Sequence, residues 1–315
     1  MKKLSIIIPV YYGEKTIGSL VNKVHKLLSK KVLSIEVVLV NDGSTDSSDD
    51  ECRKLVKIYP KDVVYVCLAK NFSEHNAVMA GLNVSTGEFA VIIDDDFQNP
   101  PEEILKLFDR IQKTKADVVY SYYKQKKHSW FRNLGSRFND KVANMVLDKP
   151  EDLYLSSFKI IRRNVINEVI KYTGPYPYID GLILRATQHI DKQLVKHDER
   201  QIGKSNYTLK KLLLLWSNMF INFSIKPLRW SLYLGVIFAL LGFVLAAGFI
   251  FEKLRNPDLP LGWASTTSSL LILSGIQLLI LGMMGEFVGR MYLTHNVTPQ
   301  YVIRDIVRGK ENEEK

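Results

Sequence analysis

Cysteine is nearly absent from this 315-residue chain: only Cys52 and Cys67 occur, and neither has a neighbour at ligand-like spacing. A disulfide framework and a thiolate metal cage are thereby excluded as organising features, and two reduced thiols are expected. No G-x-G-x-x-G and no Walker pattern follows any strand-like run, which argues against a dinucleotide or P-loop site. The N-terminal "MKKLSIIIPVYY" has a basic start but only a short apolar core before Pro9 and no small-residue cleavage site, so it reads as a strand and not a signal peptide. Charge is missing from Trp230 to Phe251 and again from Gly262 to Gly285. Each run is long enough to cross a hydrocarbon core as a helix of about 20 residues, so two transmembrane helices are expected.

Basic residues flank those runs. Lys210, Lys211, Lys226 and Arg229 precede the first, and Arg290, Arg304 and Arg308 follow the second. In the connecting segment Lys253 and Arg255 are offset by Glu252 and Asp258. The positive-inside rule then places both termini in the cytoplasm and the short loop outside. A net charge of +10 fits a protein held against an anionic leaflet or handling anionic substrates.

The chemistry-bearing stretch is "VIIDDDFQNPPEEI", residues 91 to 104. A buried-strand pattern, Phe89 to Ile93, ends abruptly in Asp94, Asp95 and Asp96. If the strand stays extended, Asp94 and Asp96 project to one face and repel each other unless a cation lies between them. Hard oxygen ligands favour Mg²⁺ or Mn²⁺, and Mg²⁺ typically shares one or two carboxylates with a substrate's phosphates. The plain alternative is a solvated acidic turn.

Residues 1 to about 207 alternate strand-like and helix-like patterns. Strands are expected at Leu4–Ile8, Ile35–Val40, Val63–Cys67, Phe89–Ile93 and Val118–Tyr120. Helices are expected at Ile17–Leu28, Asp46–Ile58, Glu74–Val84 and Pro101–Lys113. That alternation predicts βαβ units, a mainly parallel sheet and a ligand site beyond the carboxyl ends of the strands. In "NDGSTD", Gly43 permits a tight turn and Ser44 or Thr45 is placed to cap the following helix. Asp42 is placed to accept a hydrogen bond from a ribose hydroxyl or a base, or simply to form an Asx turn. Residues 124 to 137 carry Lys124, Lys126, Lys127, Arg132 and Arg137, a phosphate clamp or a solvated face. Nucleic acid is disfavoured as a partner because the same chain is expected in a membrane. Arg200, Gly203, Lys204 and Ser205 lie just ahead of an amphipathic segment with Trp216 suited to the headgroup level. Arg200 is expected near the bilayer.

Together these segments resemble family 2 glycosyltransferases of the GT-A fold. The match is strongest to the polyprenyl-phosphate group, which includes dolichol-phosphate mannose synthases and bacterial undecaprenyl-phosphate sugar transferases. The resemblance runs through "SIIIPVYY", "VVLVNDGSTD", "KNFSEHNAVMAGL", "IDDDFQNPPE", "SWFRNLGSRFND", "HDERQIGKSNYTLKKL", "KPLR" and "GEFVGRMYLTHNVTPQY", nearly the whole chain. It implies an α/β GT-A domain (Rossmann-like, mainly parallel sheet) over residues 1–207 and an amphipathic juxtamembrane segment over 208–229. Spans follow at 230–252 and 265–289, around an extracytoplasmic loop at 253–264 and before a cytoplasmic tail at 290–315. By position, Pro9, Tyr11, Glu14, Val40, Asp42, Asp94 and Asp95 would bind the nucleotide, and Asp94, Asp96 and Gln98 the metal. Arg132, Ser136 and Arg200 would hold the acceptor phosphate, with Asp94, Asp96, Arg132 and Arg200 counted as catalytic. The implied reaction moves a sugar, with inversion, from a nucleotide-sugar donor (UDP-linked by resemblance) to a polyprenyl phosphate such as undecaprenyl phosphate. The implied setting is a multi-pass protein of the bacterial inner membrane, homotetrameric, with its catalytic domain cytoplasmic, serving cell-envelope glycans.

Two departures stand out. The usual Y-N-E after the proline is Tyr11-Tyr12-Gly13-Glu14 here, displacing the acid by one position. An aspartate common before "F-[RK]-x-x-R-R" is replaced by Leu153, with Asp152 beside it. A lipid phosphate has a second pKa of about 6 and is already an anion at neutral pH, so no strong general base is required. His75, His128, His189 and His197 accordingly read as structural or surface residues. Competing readings are a processive polysaccharide synthase, against which Lys226 stands where a Q-x-x-R-W motif has glutamine, and a non-catalytic scaffold or sugar-nucleotide sensor.

Overall fold

The computed structural model describes residues 3–29, 34–123, 150, 153–198, 226–255 and 262–309. They divide into two compact units, Met1–Leu212 with Val297–Lys315, and Leu213–Asn296.

The first unit is built on a sheet of eight strands among the described residues: β1 Lys3–Val10, β2 Ser34–Asn41, β3 Val63–Leu68, β4 Phe89–Ile92, β5 Val118–Tyr122, β6 Lys159–Arg162, β7 Ile190–Leu194 and β8 Ile303–Arg308. Their order is β7-β5-β6-β4-β1-β2-β3-β8. Strands β4, β1, β2 and β3 are parallel neighbours, while β6 and β8 run antiparallel to theirs. The five expected strands all form, each within a residue or two of its expected limits. They are continuous apolar runs because both faces are covered: Leu4, Ile6, Ile7 and Ile8 are all fully buried. Helices α1 Ile17–Ser29, α2 Ser48–Ile58, α3 Glu74–Val84 and α4 Glu103–Thr114 supply the cover. On α1 the buried stripe is Ile17, Leu20, Val21, Val24 and Leu28, each such side chain contributing about 1.5–3 kcal/mol. Two shorter helices, α5 Arg163–Val169 and α6 Ile179–Ala186, follow β6. Both cysteines are free and buried, and burial raises both thiols above their ordinary pKa, leaving them unreactive.

Strand β8 was not expected. It lies within the stretch read as a tail, yet it pairs antiparallel with β3 from Val64↔Arg308 to Leu68↔Ile303. Its residues alternate, with Ile303, Asp305 and Val307 half-buried and Arg304, Ile306 and Arg308 exposed. The first unit is therefore completed by chain that follows the second.

The second unit holds two long helices, α7 Lys226–Arg255 and α8 Trp263–His295. Among the described residues one stretch, Ile272–His295, is apolar enough over 24 residues to cross a membrane, with mean hydropathy 1.7 and none of it buried. Leu228–Gly242 is a shorter apolar stretch.

Candidate active site

Strand order reverses between β1 and β4: the chain moves outward from β1 through β2 to β3, then returns to the other side of β1 at β4. In open α/β sheets that switch point opens a crevice at the carboxyl ends of the strands. The loops after β1, β2, β3 and β4 meet there.

The β2 loop is held tightly. Pro9 and Val40 are register partners across β1 and β2, and Asp42 N–H donates to the Val10 carbonyl at 2.9 Å. Gly43 has φ +68°, and a Cβ there would collide with the backbone of Lys70 and Asn71, so the turn requires glycine. Asp42 is 3% exposed and accepts Phe72 N–H at 2.7 Å. Burial raises its carboxyl above the ordinary value, only partly offset by the Phe72 and Ser73 amides. Tyr11 is exposed beside it, its ring meeting Tyr12 edge-on at 4.5 Å. Burial first, then the neighbouring Tyr12 and Asp42, raise the Tyr11 hydroxyl, which stays a neutral donor.

Helix α2 is not capped by Ser44 or Thr45 as expected; its N-cap is Ser47, which makes no side-chain capping bond. It starts at Ser48, and Asp46 Oδ1 accepts both the Ser48 amide at 3.2 Å and its hydroxyl at 2.6 Å. Ser44 and Thr45 instead grip the β1 loop, Ser44 Oγ accepting Tyr12 N–H at 3.1 Å and Thr45 Oγ1 lying 3.1 Å from the Tyr12 hydroxyl. Glu14 accepts Ser47 N–H at 3.2 Å, so this displaced acid lies against the start of α2.

Strand β4 stops at Ile92, and Asp95 and Asp96 occupy a turn. The expectation that strand alternation sends Asp94 and Asp96 to one face is therefore corrected: the turn, not the pleat, positions them. Asp96 is 8% exposed and its Oδ1 accepts Gln98 N–H at 3.0 Å, closing an Asx turn around Phe97 at φ +61°. Asp94 Oδ2 accepts the Ser157 hydroxyl at 2.8 Å. Asp95 turns toward the β1 loop, where a side chain on Gly13 would overlap its Oδ2, so glycine beside the displaced acid makes room for it. Gln98 lends its carbonyl to Asp198 N–H at 2.9 Å, which brings His197 alongside, its ring 4.3 Å from that of Tyr123.

Several further residues at this edge were not counted as site residues from the sequence. Lys159, two positions after Ser157, forms a buried ion pair with Asp180 at the start of α6, and Tyr120 donates to the same carboxylate at 2.9 Å. His75 meets Tyr178 edge-on at 5.2 Å, and burial pushes its pKa down to about 4, so it is neutral. Glu74 keeps contact with solvent but sits among enough protein that loss of solvation, with the charge of Asp94 second, pushes its carboxyl up to about 7. A lysine inside "SFKIIR" is the one cue sequence offered, since a lysine within an apolar strand demands a buried acid. Arg132, Ser136 and Arg200 lie outside the described residues.

The arrangement defines an α/β protein whose switch-point crevice gathers carboxylates on turns, with no triad of nucleophile, base and orienter among the described residues. The family 2 glycosyl transferase model matches residues 5–170, and a model described as the GtrB C-terminal hairpin matches 226–291. The chain belongs to glycosyl transferase family 2 and is a glycosyltransferase. It is 30% identical over 317 residues to an undecaprenyl-phosphate 4-deoxy-4-formamido-L-arabinose transferase of Serratia proteamaculans, covering 99% of this chain and 96% of the relative. The transferase of that name from Edwardsiella ictaluri is 31% identical, with the same coverage. Among solved structures, glucosyl-3-phosphoglycerate synthase of Mycobacterium tuberculosis, in complex with Mn²⁺, UDP and phosphoglyceric acid, superposes with TM-score 0.52 at 16% identity. That match covers 69% of this chain and 77% of the other, and it establishes a shared fold.

Proposed function

We propose that this glycosyltransferase moves a sugar from a nucleoside-diphosphate donor, UDP-linked, to a polyprenyl phosphate at the cytoplasmic face of a bacterial inner membrane, for envelope modification. One observation carries the reading: Asp42 and the Asp94–Gln98 turn follow the carboxyl ends of β2 and β4, on either side of β1 at the switch point, in a chain that also matches the GtrB-type hairpin. The full-length relatives named for undecaprenyl-phosphate sugar transfer support the acceptor class.

In this reading Pro9, Tyr11 and Asp42, with the fully buried Val40 beneath them, would line the nucleoside, and Glu14 and Asp95 would complete the nucleotide set. Asp94, Asp96 and Gln98 would hold Mg²⁺ or Mn²⁺. The fit rests on the oxygen donors that the turn brings together, of the kind hard cations take. The bound cation would neutralise charge developing on the departing diphosphate. Among the described residues no three His, Cys, Asp or Glu side chains form a ready cage, so Gln98 and donor phosphates belong to the proposed set. The chain itself orients the donor and, through Arg132, Ser136 and Arg200, would clamp the acceptor phosphate. That phosphate attacks in line as an anion, so no side chain need take a proton, and inversion follows. Both apolar runs, in α7 and α8, are proposed as spans, and the hairpin's glycines as the packing face of a homotetramer.

The test is incubation of purified full-length protein with undecaprenyl phosphate and a panel of nucleotide sugars, with glycolipid detected by mass spectrometry. One donor should yield a polyprenyl-phosphate sugar, and chelation should stop it. Free sugar released without glycolipid, or transfer to a soluble acceptor alone, would overturn the assignment.

A further inference from the structure

A chain of side-chain hydrogen bonds joins strand β8 to the β2 turn. Asp305 Oδ2 accepts Arg53 Nη1 at 2.8 Å, and Arg53 Nε donates to Asp49 Oδ2 at 2.8 Å. The Tyr65 hydroxyl donates to Asp49 Oδ1 at 2.5 Å and accepts Asn41 Nδ2 at 3.1 Å. Asn41 Oδ1 in turn accepts Ser44 N–H at 3.0 Å, and Ser44 Oγ holds Tyr12.

Three features give this chain a single direction. Asn41 is 1% exposed, and rotating its amide would break the bonds to Tyr65 and Ser44 together. Tyr65 is fully buried and has one proton, which goes to Asp49, so its oxygen is left to accept from Asn41. Burial acts to raise the Asp49 carboxyl, but hydrogen bonds from Arg53 and Tyr65 outweigh it and hold Asp49 below its ordinary value, a charged anchor between them. Asn41 immediately precedes Asp42, so the last link sets the backbone that presents the nucleoside-binding carboxylate. Arg53 also lies over the Tyr65 ring at 5.3 Å, so displacing the guanidinium disturbs the ring as well as the anion.

We propose that Asp305 is a positioning residue for the nucleotide donor: by holding Arg53 it orders Asp49, Tyr65 and Asn41, and through them the turn that carries Asp42. The inference rests on the donor site proposed above. It makes the strand that follows the helical hairpin part of donor binding through its side-chain chain to the turn. Removing Asp305 leaves Arg53 with one carboxylate instead of two and lets Asp49 follow it.

The experiment titrates UDP and GDP into full-length protein in detergent and measures steady-state kinetics alongside. Asp305→Ala should weaken UDP binding about threefold to thirtyfold, the range of coupling carried by such networks. Donor KM should rise by the same factor, with kcat at saturating donor and acceptor KM unchanged, a split that mere loss of folded protein does not produce. Asp305→Asn should recover part of the loss. Arg304→Ala, on the exposed face of the same strand, should bind as wild type. Should the alanine variant fail to fold, Tyr65→Phe, which deletes one hydroxyl in mid-chain, must show the same rise. A folded Asp305→Ala with wild-type affinity, or an equal loss in Arg304→Ala, would overturn the inference while sparing the donor site. Wild-type protein that binds neither nucleotide would overturn the donor site and this inference together.

Discussion

Two buried carboxylates at opposite ends of the parallel strands, Glu36 and Asp42, are held in opposite ways. At the amino end, Glu36 is 5% exposed and accepts the Ser5 hydroxyl at 2.6 Å, the Thr86 amide at 2.7 Å and the Thr86 hydroxyl at 2.9 Å. Burial acts to raise its pKa, yet these bonds and Lys3 at 3.4 Å outweigh it and hold the carboxyl below its ordinary value. At the carboxyl end, burial raises the Asp42 carboxyl, while loss of solvation and then the charge of Asp94 raise that of Glu74, which still touches solvent. The same side-chain chemistry stabilises the fold at one edge and destabilises it at the other. A protein retains such a concentration of charge where a ligand of opposite sign completes it, which is how perturbed carboxylates come to mark sites. The amino edge is the internal control: a buried acid there has every partner it needs.

The sharpest way to break that contrast is to neutralise one carboxylate at the carboxyl edge. Asp96→Asn should lower transfer by about 100-fold or more, the scale at which losing a charged transition-state contact is felt, while the melting temperature stays at or above wild type. The amino edge should respond inversely, in stability and not in rate. Wild-type turnover by Asp96→Asn, or full activity in chelator, would remove the metal assignment.

Next in size is Lys159→Ala. It strands Asp180 in the interior, and breaking a buried pair from one side costs about 3–5 kcal/mol. Denaturant unfolding of the single variant against Lys159→Met/Asp180→Leu checks it, since the paired apolar replacement should recover most of the loss. Equal instability in both would mean that packing, not the uncompensated charge, dominates at this position.

Glu36→Gln should cost about 1.5–3 kcal/mol at neutral pH, the worth of hydrogen bonds to a charged acceptor, with transfer unaffected in the protein that remains folded. The pH dependence has opposite signs at the two edges. Glu36 has a depressed folded pKa, so its contribution is present above its ordinary 4.5 and is lost as pH falls through the folded value. Glu74 has a raised one, so its charging erodes stability as pH climbs from its ordinary 4.5 through about 7. Thermal melts in chelator across that range should lose the alkaline limb in Glu74→Gln and the acidic limb in Glu36→Gln. A limb unchanged in its own variant would assign that titration to another group.

Sequence made the parallel strands β1 to β5 and helices α1 to α4 legible because each is a long apolar run or a clean stripe. It was silent on β6, β7 and β8. Two of those strands pair antiparallel to their neighbours, and β8 becomes visible only when an edge 238 positions away in the chain (Cys67 opposite Asp305, among others) is there to receive it. The Asp94–Gln98 turn could be read from an abrupt change of polarity. Lys159 with Asp180, and Ser157 with Asp94, could not, since no spacing rule links residues 21 and 63 positions apart.

The mildest intervention tests how much the carboxyl edge depends on its own hydrogen bonds as opposed to the ligand it awaits. Ser157 gives Asp94 a single hydroxyl at 2.8 Å from the loop before β6, and Ser157→Ala removes only that. A neutral donor to a carboxylate is worth about 1.5–3 kcal/mol when nothing replaces it, but Asp94 is only half-buried and water can take the vacant place. Stability should therefore fall by less than about 1 kcal/mol, and transfer by no more than about tenfold, with most of the loss regained at high divalent cation. Regain identifies Ser157 as orienting a ligand that the cation can orient for itself. A large loss that excess metal leaves untouched would instead make the hydroxyl part of the donor or acceptor contact, and would shift the centre of the site from the β4 turn toward β6.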